Sequence, residues 1–260
     1  MISQTIHAEV ADSSGKTLYR LGGIAALLAA IVFRRNLAEE FMLFRQLGIF
    51  HSGPRALPNT VMDWYSILHN YRLIGLTFLN LFDMVNYALV GLIFLGLDAV
   101  LRRVNRSCMR LATVLVLVAV AVYFASNQAF ALLSLSDQYA AAATDAERSE
   151  LLAAGQALLA VHNSGANYGH GIYVSYLFVN LAGLIAATVM LRSRVFGKVA
   201  AYTGILANIF GLGYYLTQMF APALSVIPIS AAAPLLLVWY ILIGRKLLQL
   251  GWGGLNEDAA

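Results

Sequence analysis

Long apolar stretches separated by short polar ones dominate the pattern of this chain. About twenty residues of α-helix span the roughly 30 Å hydrocarbon core of a bilayer, and a helix satisfies its own backbone polar groups in lipid. The pattern therefore predicts an all-α integral membrane bundle of about six transmembrane helices within a single domain, residues 1–260. The expected helices cover residues 18–33, 73–101, 109–135, 171–191, 200–220 and 229–248.

Two of these runs carry features that bend or break helices. The second run is longer than a perpendicular crossing needs, so we expect it to tilt, to extend beyond the membrane or to break around residues 80–86. Pro234 lies inside the sixth run and is expected to kink it, because proline lacks a backbone donor and clashes with the preceding turn.

The two long connections, residues 34–72 and 136–170, are not simple loops. Thr144 and Glu147 have capping-box spacing and precede apolar residues at helical spacing, which predicts a surface helix that runs to about His162. The mixture of aromatic and charged residues at 37–50 indicates a second interfacial helix or an extension of the first helix. We therefore expect two interfacial helical segments on the outer side of the bundle.

Composition supports a lipid environment, since 60% of the residues are hydrophobic and 12% are charged, against about a quarter charged in soluble domains. The first run has the outline of a secretory signal. However, Arg34 and Arg35 follow it where small cleavage-site residues are expected, so we interpret it as an uncleaved helix. The single cysteine, Cys108, excludes a disulfide within the chain.

The basic residues that give the net charge of +4 are clustered beside the apolar runs. Such clusters fix orientation in a membrane, so we expect the lipid bilayer and not nucleic acid as the partner. The clusters follow the second, fourth and sixth runs, which places them and both termini in the cytoplasm and the two long connections outside. Arg34 and Arg35 fit this arrangement poorly.

A carboxylate in the second run is the first candidate for chemistry. Asn80, Asp83 and Asn86 are spaced by three and share a helical face. A carboxylate at membrane depth is costly unless it is paired, hydrated or protonated. We favour a structural ion pair of Asp83 with Arg34 or Arg35, and an ion, proton or substrate role for Asp83 stays open.

Other polar and aromatic residues have simpler interpretations. Asn127 and Gln128 are further candidates for ligand or ion binding, although amides in such helices commonly hydrogen-bond to one another. Asp98 is expected to form a surface pair with Arg102. The aromatic residues are interpreted as interface belt and packing, namely Tyr168, Tyr173, Tyr176, Tyr214, Tyr215, Trp64 and Trp239.

Four histidines, His51, His69, His162 and His170, fall in or next to the outer connections. With outer carboxylates they could hold zinc and activate water. However, no His-Glu-x-x-His motif and no pair of histidines four apart is present. We therefore predict no metal and no cofactor, keep His162 and His170 as weak metal candidates, and assign no catalytic residue.

Three stretches of the chain are similar to one known family. They are residues 73–97 with Asn80, Asp83 and Asn86, the segment YFASNQAFALLSLSDQYAAA at 123–142, and ELLAAGQALLA at 150–160. Together they resemble bacterial polytopic membrane proteins grouped as domain of unknown function 4386, over residues 18–248. The resemblance implies about six helices and a bacterial inner membrane, and it supplies no activity and no catalytic residue.

These observations predict a non-enzymatic inner-membrane protein with a role in small-molecule or lipid handling, in sensing or as an accessory factor. A small molecule or lipid would bind at the outer mouth, and a homo-oligomer stays open. One alternative is a membrane-embedded, metal-dependent hydrolase that uses the outer histidines and carboxylates. Another is a structural subunit of a larger membrane complex.

Overall fold

The computed structural model describes residues 13–46, 58, 60–163 and 171–253, with the side chains of 13–14, 33–46 and 161–163 excepted. Over these residues the chain is helical and contains no β-strand. The helices are α1 (Ser13–Gln46), α2 (Val61–Asn70), α3 (Arg72–Phe78), α4 (Leu81–Leu101), α5 (Arg106–Ser126), α6 (Ala129–Ala141), α7 (Asp145–Asn163), α8 (Gly171–Arg192), α9 (Lys198–Phe220) and α10 (Val226–Trp252).

Six helices form a closed ring in which each packs against two neighbours. The order around the ring is α1, α4, α5, α8, α9 and α10, and α10 packs back on α1. The described chain has six segments long and apolar enough to cross a membrane, one for each ring helix, with α6 continuing the segment of α5. The prediction of an all-α membrane bundle with about six such helices is therefore confirmed.

Short turns join α4 to α5, α8 to α9, and α9 to α10. Each of these pairs is therefore antiparallel, and the turns define two ends of the ring. The basic end holds the turns at residues 102–105 and 193–197 and the last turn of α10. Arg20 on α1 lies at this end, because its Nε donates to the carbonyl of Gly251 at 2.9 Å. The opposite end, here called the cap end, holds residues 79–80, 127–128 and 221–225.

The ring helices approach closely where glycines face one another. A Cβ added to Gly22 on α1 would lie 3.0 Å from the Cα of Gly96 on α4. Between helices in lipid, such small residues favour association because they let the backbones come into van der Waals contact. The distance between α1 and α4 is therefore limited by backbone contact at these two glycines.

A reciprocal contact joins α8 and α9, each of which carries an Asn-x-x-Gly segment. Because the two helices are antiparallel, the Asn208 amide covers Gly183 and the Asn180 amide covers Gly211, so an added Cβ at either glycine would overlap the facing amide. Both asparagines are buried. Each donates Nδ2 to the carbonyl four residues earlier in its own helix, at 2.8 Å for Asn180 and 2.7 Å for Asn208.

Helices α2, α3, α6 and α7 form a separate group, here called the cap, which has its own apolar cluster. Polar contacts tie the group together: Tyr65 donates from its hydroxyl to the Leu151 carbonyl at 2.7 Å, and Ser136 donates to the Tyr65 carbonyl at 3.0 Å. Burial raises the pKa of the Tyr65 hydroxyl. The buried residues of the cluster are Val61, Trp64, Tyr65, Leu68, Leu79, Ala129, Leu132 and Leu159.

Two helix breaks connect the cap to the ring, and they lie side by side. Asn80, at φ 66° and ψ 35°, is left-handed and separates α3 from α4, a conformation that asparagine tolerates better than most residues. Asn127 is extended and separates α5 from α6. Its Oδ1 accepts from the Ala129 N–H at 2.9 Å, and its Nδ2 donates to the Leu79 carbonyl at 3.3 Å.

These breaks resolve one expectation and correct another. The second apolar run breaks at Leu79–Asn80, one of the three outcomes that its length allowed. The helix expected at residues 109–135 was wrong as a single helix, because the Asn127 side chain takes over the backbone N–H of Ala129 and ends α5. The sixth helix extends to both sides of its expected bounds and continues through Pro234.

The surface helices are described in part. A helix is present as expected over Asp145–Asn163. Its Thr144 and Glu147 form the predicted capping pair, in which Glu147 Oε2 accepts from the Thr144 and Ala143 N–H groups and Thr144 Oγ1 accepts from the Glu147 N–H. For residues 37–46 the structure shows the extension of the first helix. Helix α2 was not predicted, although its Thr60 and Asp63 form a capping box.

Candidate functional site

A cavity of about 420 Å³ lies inside the ring. The lining residues that the structure describes come from five of the six ring helices, α4, α5, α8, α9 and α10. It extends along α4 from Asn80 to Phe94, a distance of roughly 20 Å at the helical rise of 1.5 Å per residue. The cavity therefore occupies the half of the ring next to the cap end.

One face of α4 supplies three polar residues of this lining. Asn80, Asp83 and Asn86 all line the cavity, as their spacing of three suggested. The same face continues with Tyr87 and ends at Phe94. Asn80 reaches this position because its left-handed conformation starts α4 at the mouth of the cavity.

Aromatic rings form the walls. Tyr87 on α4 stacks on Tyr123 of α5 with ring centroids 4.0 Å apart, and Tyr176 on α8 meets Tyr214 of α9 edge to face at 5.5 Å. Trp239 lies beside Tyr240 on α10, and both residues line the cavity and are buried. The cavity is thus apolar over most of its surface, with polar atoms at defined places.

Two polar atoms of lining residues, Asn86 Oδ1 and Trp239 Nε1, are buried and make no hydrogen bond within the described part of the chain. Most buried polar side-chain atoms in proteins have a partner, and leaving one unsatisfied costs about 1–3 kcal/mol. Neither atom reaches the surface of the cavity, and Trp239 Nε1 lies against α9 where a side chain at Gly204 would be. These two atoms therefore belong to the packing between helices and do not contact the space of the cavity.

Asp83 is the only residue with a formal charge among the described residues that line the cavity. It has an interaction partner within the chain. The expected partners, Arg34 and Arg35, lie outside the described side chains, so that ion pair stays a prediction.

Two further candidates lie outside the cavity. Asn127 forms the helix break described above, and Gln128 donates from Nε2 to the Ser126 carbonyl at 3.4 Å. The pairing expected between Asp98 and Arg102 is not formed, since Asp98 Oδ1 is buried without a hydrogen-bond partner while Arg102 is exposed at the turn. Asp98 faces into the ring from the basic half of α4 and does not line the cavity.

The histidines are seen only in part. His69 is exposed at the end of α2. His51, His170 and the side chain of His162 lie outside the described residues. Among the residues that the structure does describe, no group of three or more histidine, cysteine, aspartate or glutamate side chains is placed to hold a metal ion.

Sequence reasoning missed most of the aromatic lining. Tyr173, Tyr176, Tyr214 and Trp239 were interpreted as belt and packing residues, and the structure places all four around the cavity. The position of Tyr87 in the lining could be predicted, because it lies four residues after Asp83 on the same helical face. The remaining lining tyrosines that were not singled out are Tyr123 and Tyr240.

Comparison with known proteins gives one match. The model of the family described as domain of unknown function (DUF4386) matches residues 65–248, which covers the cavity and most of the ring. No curated protein and no solved structure matches the chain.

Proposed function

The chain belongs to the DUF4386 family, and we propose that it is a multi-pass membrane protein that binds a small organic molecule in the ring cavity. Ligand sites are concave, mostly apolar and about 300–1,000 Å³ in volume, with a few polar groups that fix orientation. The cavity of about 420 Å³ has this size and this distribution of polar atoms.

The polar residues of the lining are the observation that carries the proposal. A packing defect in a membrane bundle would be lined by apolar groups, whereas Asn80, Asp83 and Gln218 line this cavity beside its aromatic walls. Carboxylate and amide groups offer both acceptors and donors, so an organic molecule with both kinds of group can form hydrogen bonds with them.

We place the protein in the bacterial inner membrane with both termini and the basic end in the cytoplasm. Basic residues near helix ends resist translocation, and the turns at 102–105 and 193–197 carry such residues at the same end of the ring. The cap and the half of the ring that contains the cavity then face outward. In a protein with Cys108 replaced, an external thiol reagent should label a cysteine at Ala143 and miss cysteines at Ser107 and Ser193, and the reverse pattern would overturn this orientation.

Filling the cavity tests the binding proposal. Ala233 on α10 lines the cavity, and Ala233→Phe would occupy part of its volume. Ala121→Phe is the matched control, because Ala121 is exposed on α5 and is not a lining residue. Both proteins and the wild type would be melted in detergent with a panel of small amines, alcohols, amides and carboxylic acids.

A ligand that binds only the folded state raises the melting temperature in a saturable way. We expect at least one compound class to do so for the wild type and for Ala121→Phe, and not for Ala233→Phe. If no compound gives a stabilisation that Ala233→Phe removes, the cavity is not a site for these molecules and the proposal fails.

A further inference from the structure

We infer that the ligand of the ring cavity is an organic ammonium ion, that is, a small molecule that carries a protonated amine. This inference rests on the proposed function and adds the chemical class of the ligand. Two features of the lining support it independently: its charge and its aromatic surface.

The charge of the lining has one sign. Asp83 is acidic, and no lysine, arginine or histidine occurs among the described lining residues. In a site surrounded by protein and lipid, charges interact much more strongly than in water. A cation is therefore attracted by the described part of the lining, whereas a carboxylate or phosphate would meet the like charge of Asp83.

The inference does not require the Asp83 carboxylate to be without another partner. The residue has a partner within the chain, but a carboxylate offers two oxygens with about four lone-pair sites and can accept from more than one donor. The N–H groups of an ammonium ion could share it.

The aromatic surface favours the same class. The faces of tyrosine and tryptophan rings carry negative electrostatic potential, and cations bind over them within about 6 Å of the ring centre. The cavity is surrounded from five different helices by Tyr87, Tyr123, Tyr176, Tyr214, Trp239 and Tyr240. An ammonium group enclosed by such rings gains an electrostatic attraction that a neutral group lacks and that becomes repulsion for an anion.

Three probes of similar shape test the charge preference: phenethylamine, which is a cation at neutral pH, phenethyl alcohol, which is neutral, and phenylacetate, which is an anion. We expect phenethylamine to bind the wild type at least about tenfold more tightly than the alcohol, and phenylacetate to bind most weakly. Asp83→Asn should reduce the preference for the amine over the alcohol to less than about threefold, while Asp83→Glu should keep it.

Asp98→Asn is the matched control, because Asp98 is a second partly buried carboxylate on α4 that does not line the cavity. It should leave the preference unchanged. If Asp83→Asn does not fold, Tyr214→Leu provides the second test, since it removes an aromatic ring of the lining and should weaken the amine more than the alcohol.

The outcomes separate the two proposals. If the alcohol binds as tightly as the amine and Ala233→Phe abolishes both, the cavity is a binding site and the cation inference is wrong. The inference is equally wrong if Asp83→Asn or Asp98→Asn alters the preference to the same extent. If none of the three probes shows binding that Ala233→Phe removes, the result counts against both proposals.

Discussion

The ring helices meet through glycine, alanine and apolar side chains, whereas the cap helices share a small apolar cluster tied together by side-chain hydrogen bonds. In the ring, Gly22 faces Gly96 and the amides of Asn180 and Asn208 cover glycines, so helix spacing is limited by steric contact. In the cap, Tyr65 and Ser136 make the connections between helices. We therefore expect added side-chain volume to destabilise mainly the ring. Lost hydrogen bonds are expected to destabilise mainly the cap.

The largest expected effect follows from adding a methyl group where α8 crosses α9. Gly183→Ala or Gly211→Ala places a Cβ on the facing asparagine amide, and overpacking of this kind typically costs about 1–3 kcal/mol. We expect a lower melting temperature in detergent for either variant. Gly213→Ala on α9 is the control, because its nearest neighbour would be Pro228 Cβ at an ordinary 3.5 Å.

A double variant sharpens this test. Adding Asn208→Ala to Gly183→Ala removes the overlapping amide, so the two changes together should cost less than the sum of the separate costs. Simple additivity, or a Gly183→Ala protein that melts with the wild type, would show that the two helices do not approach as closely as the structure indicates.

A smaller effect is expected at the junction between ring and cap. Asn127→Ala removes both the bond to the Leu79 carbonyl and the one that starts α6, and hydrogen bonds of this kind contribute about 1 kcal/mol each. We expect faster hydrogen exchange in α3 and α6 with little change in the ring. The neighbouring change Gln128→Ala removes only a long contact at 3.4 Å and serves as the control. Equal loss of protection throughout the ring would contradict the separation into two regions.

The smallest effect concerns pH and the cap alone. The backbone N–H groups of Thr144 and Ala143 hold the pKa of Glu147 below its ordinary value of 4.5. A depressed carboxyl pKa stabilises the fold above the unfolded value, and the contribution is lost as the pH falls through the folded value. The first turn of α7 should therefore lose protection, measured relative to the intrinsic exchange rate at each pH, as the pH drops below 4.5.

The Glu147→Gln variant provides the comparison for this pH effect. A neutral glutamine cannot titrate, so the protection of α7 relative to the intrinsic exchange rate should depend less on pH in this variant. If the variant and the wild type respond identically, Glu147 is not the group responsible.

The ring and the cap also differ in how far the sequence predicts them. The length and apolarity of the runs are sufficient to predict the ring helices, because spanning a bilayer imposes a length and a helical backbone. The breaks at Asn80 and Asn127 are harder to predict, because an asparagine inside an apolar run can stay helical or hydrogen-bond to its own backbone. Tertiary contacts determine which of the two occurs. The polar face of α4 was predictable from spacing.

The aromatic lining was not predictable in the same way. A tyrosine near a helix end suits a membrane interface as well as a cavity wall, and only the order of helices around the ring distinguishes the two. The contact between the Asn-x-x-Gly segments of α8 and α9 can similarly be predicted only when the two helices are known to pack in antiparallel orientation. Both cases need long-range contacts that one sequence does not contain.

The central claim, that a small molecule binds inside the ring, can be measured directly at Trp239. This residue lines the cavity, and the other two tryptophans, Trp64 and Trp252, lie outside its lining. With both replaced by phenylalanine, the fluorescence of Trp239 should change in a saturable way on titration with phenethylamine. The change should persist with Ala121→Phe and disappear with Ala233→Phe. A response that stays linear with concentration, or that is the same in both variants, would contradict binding in the cavity.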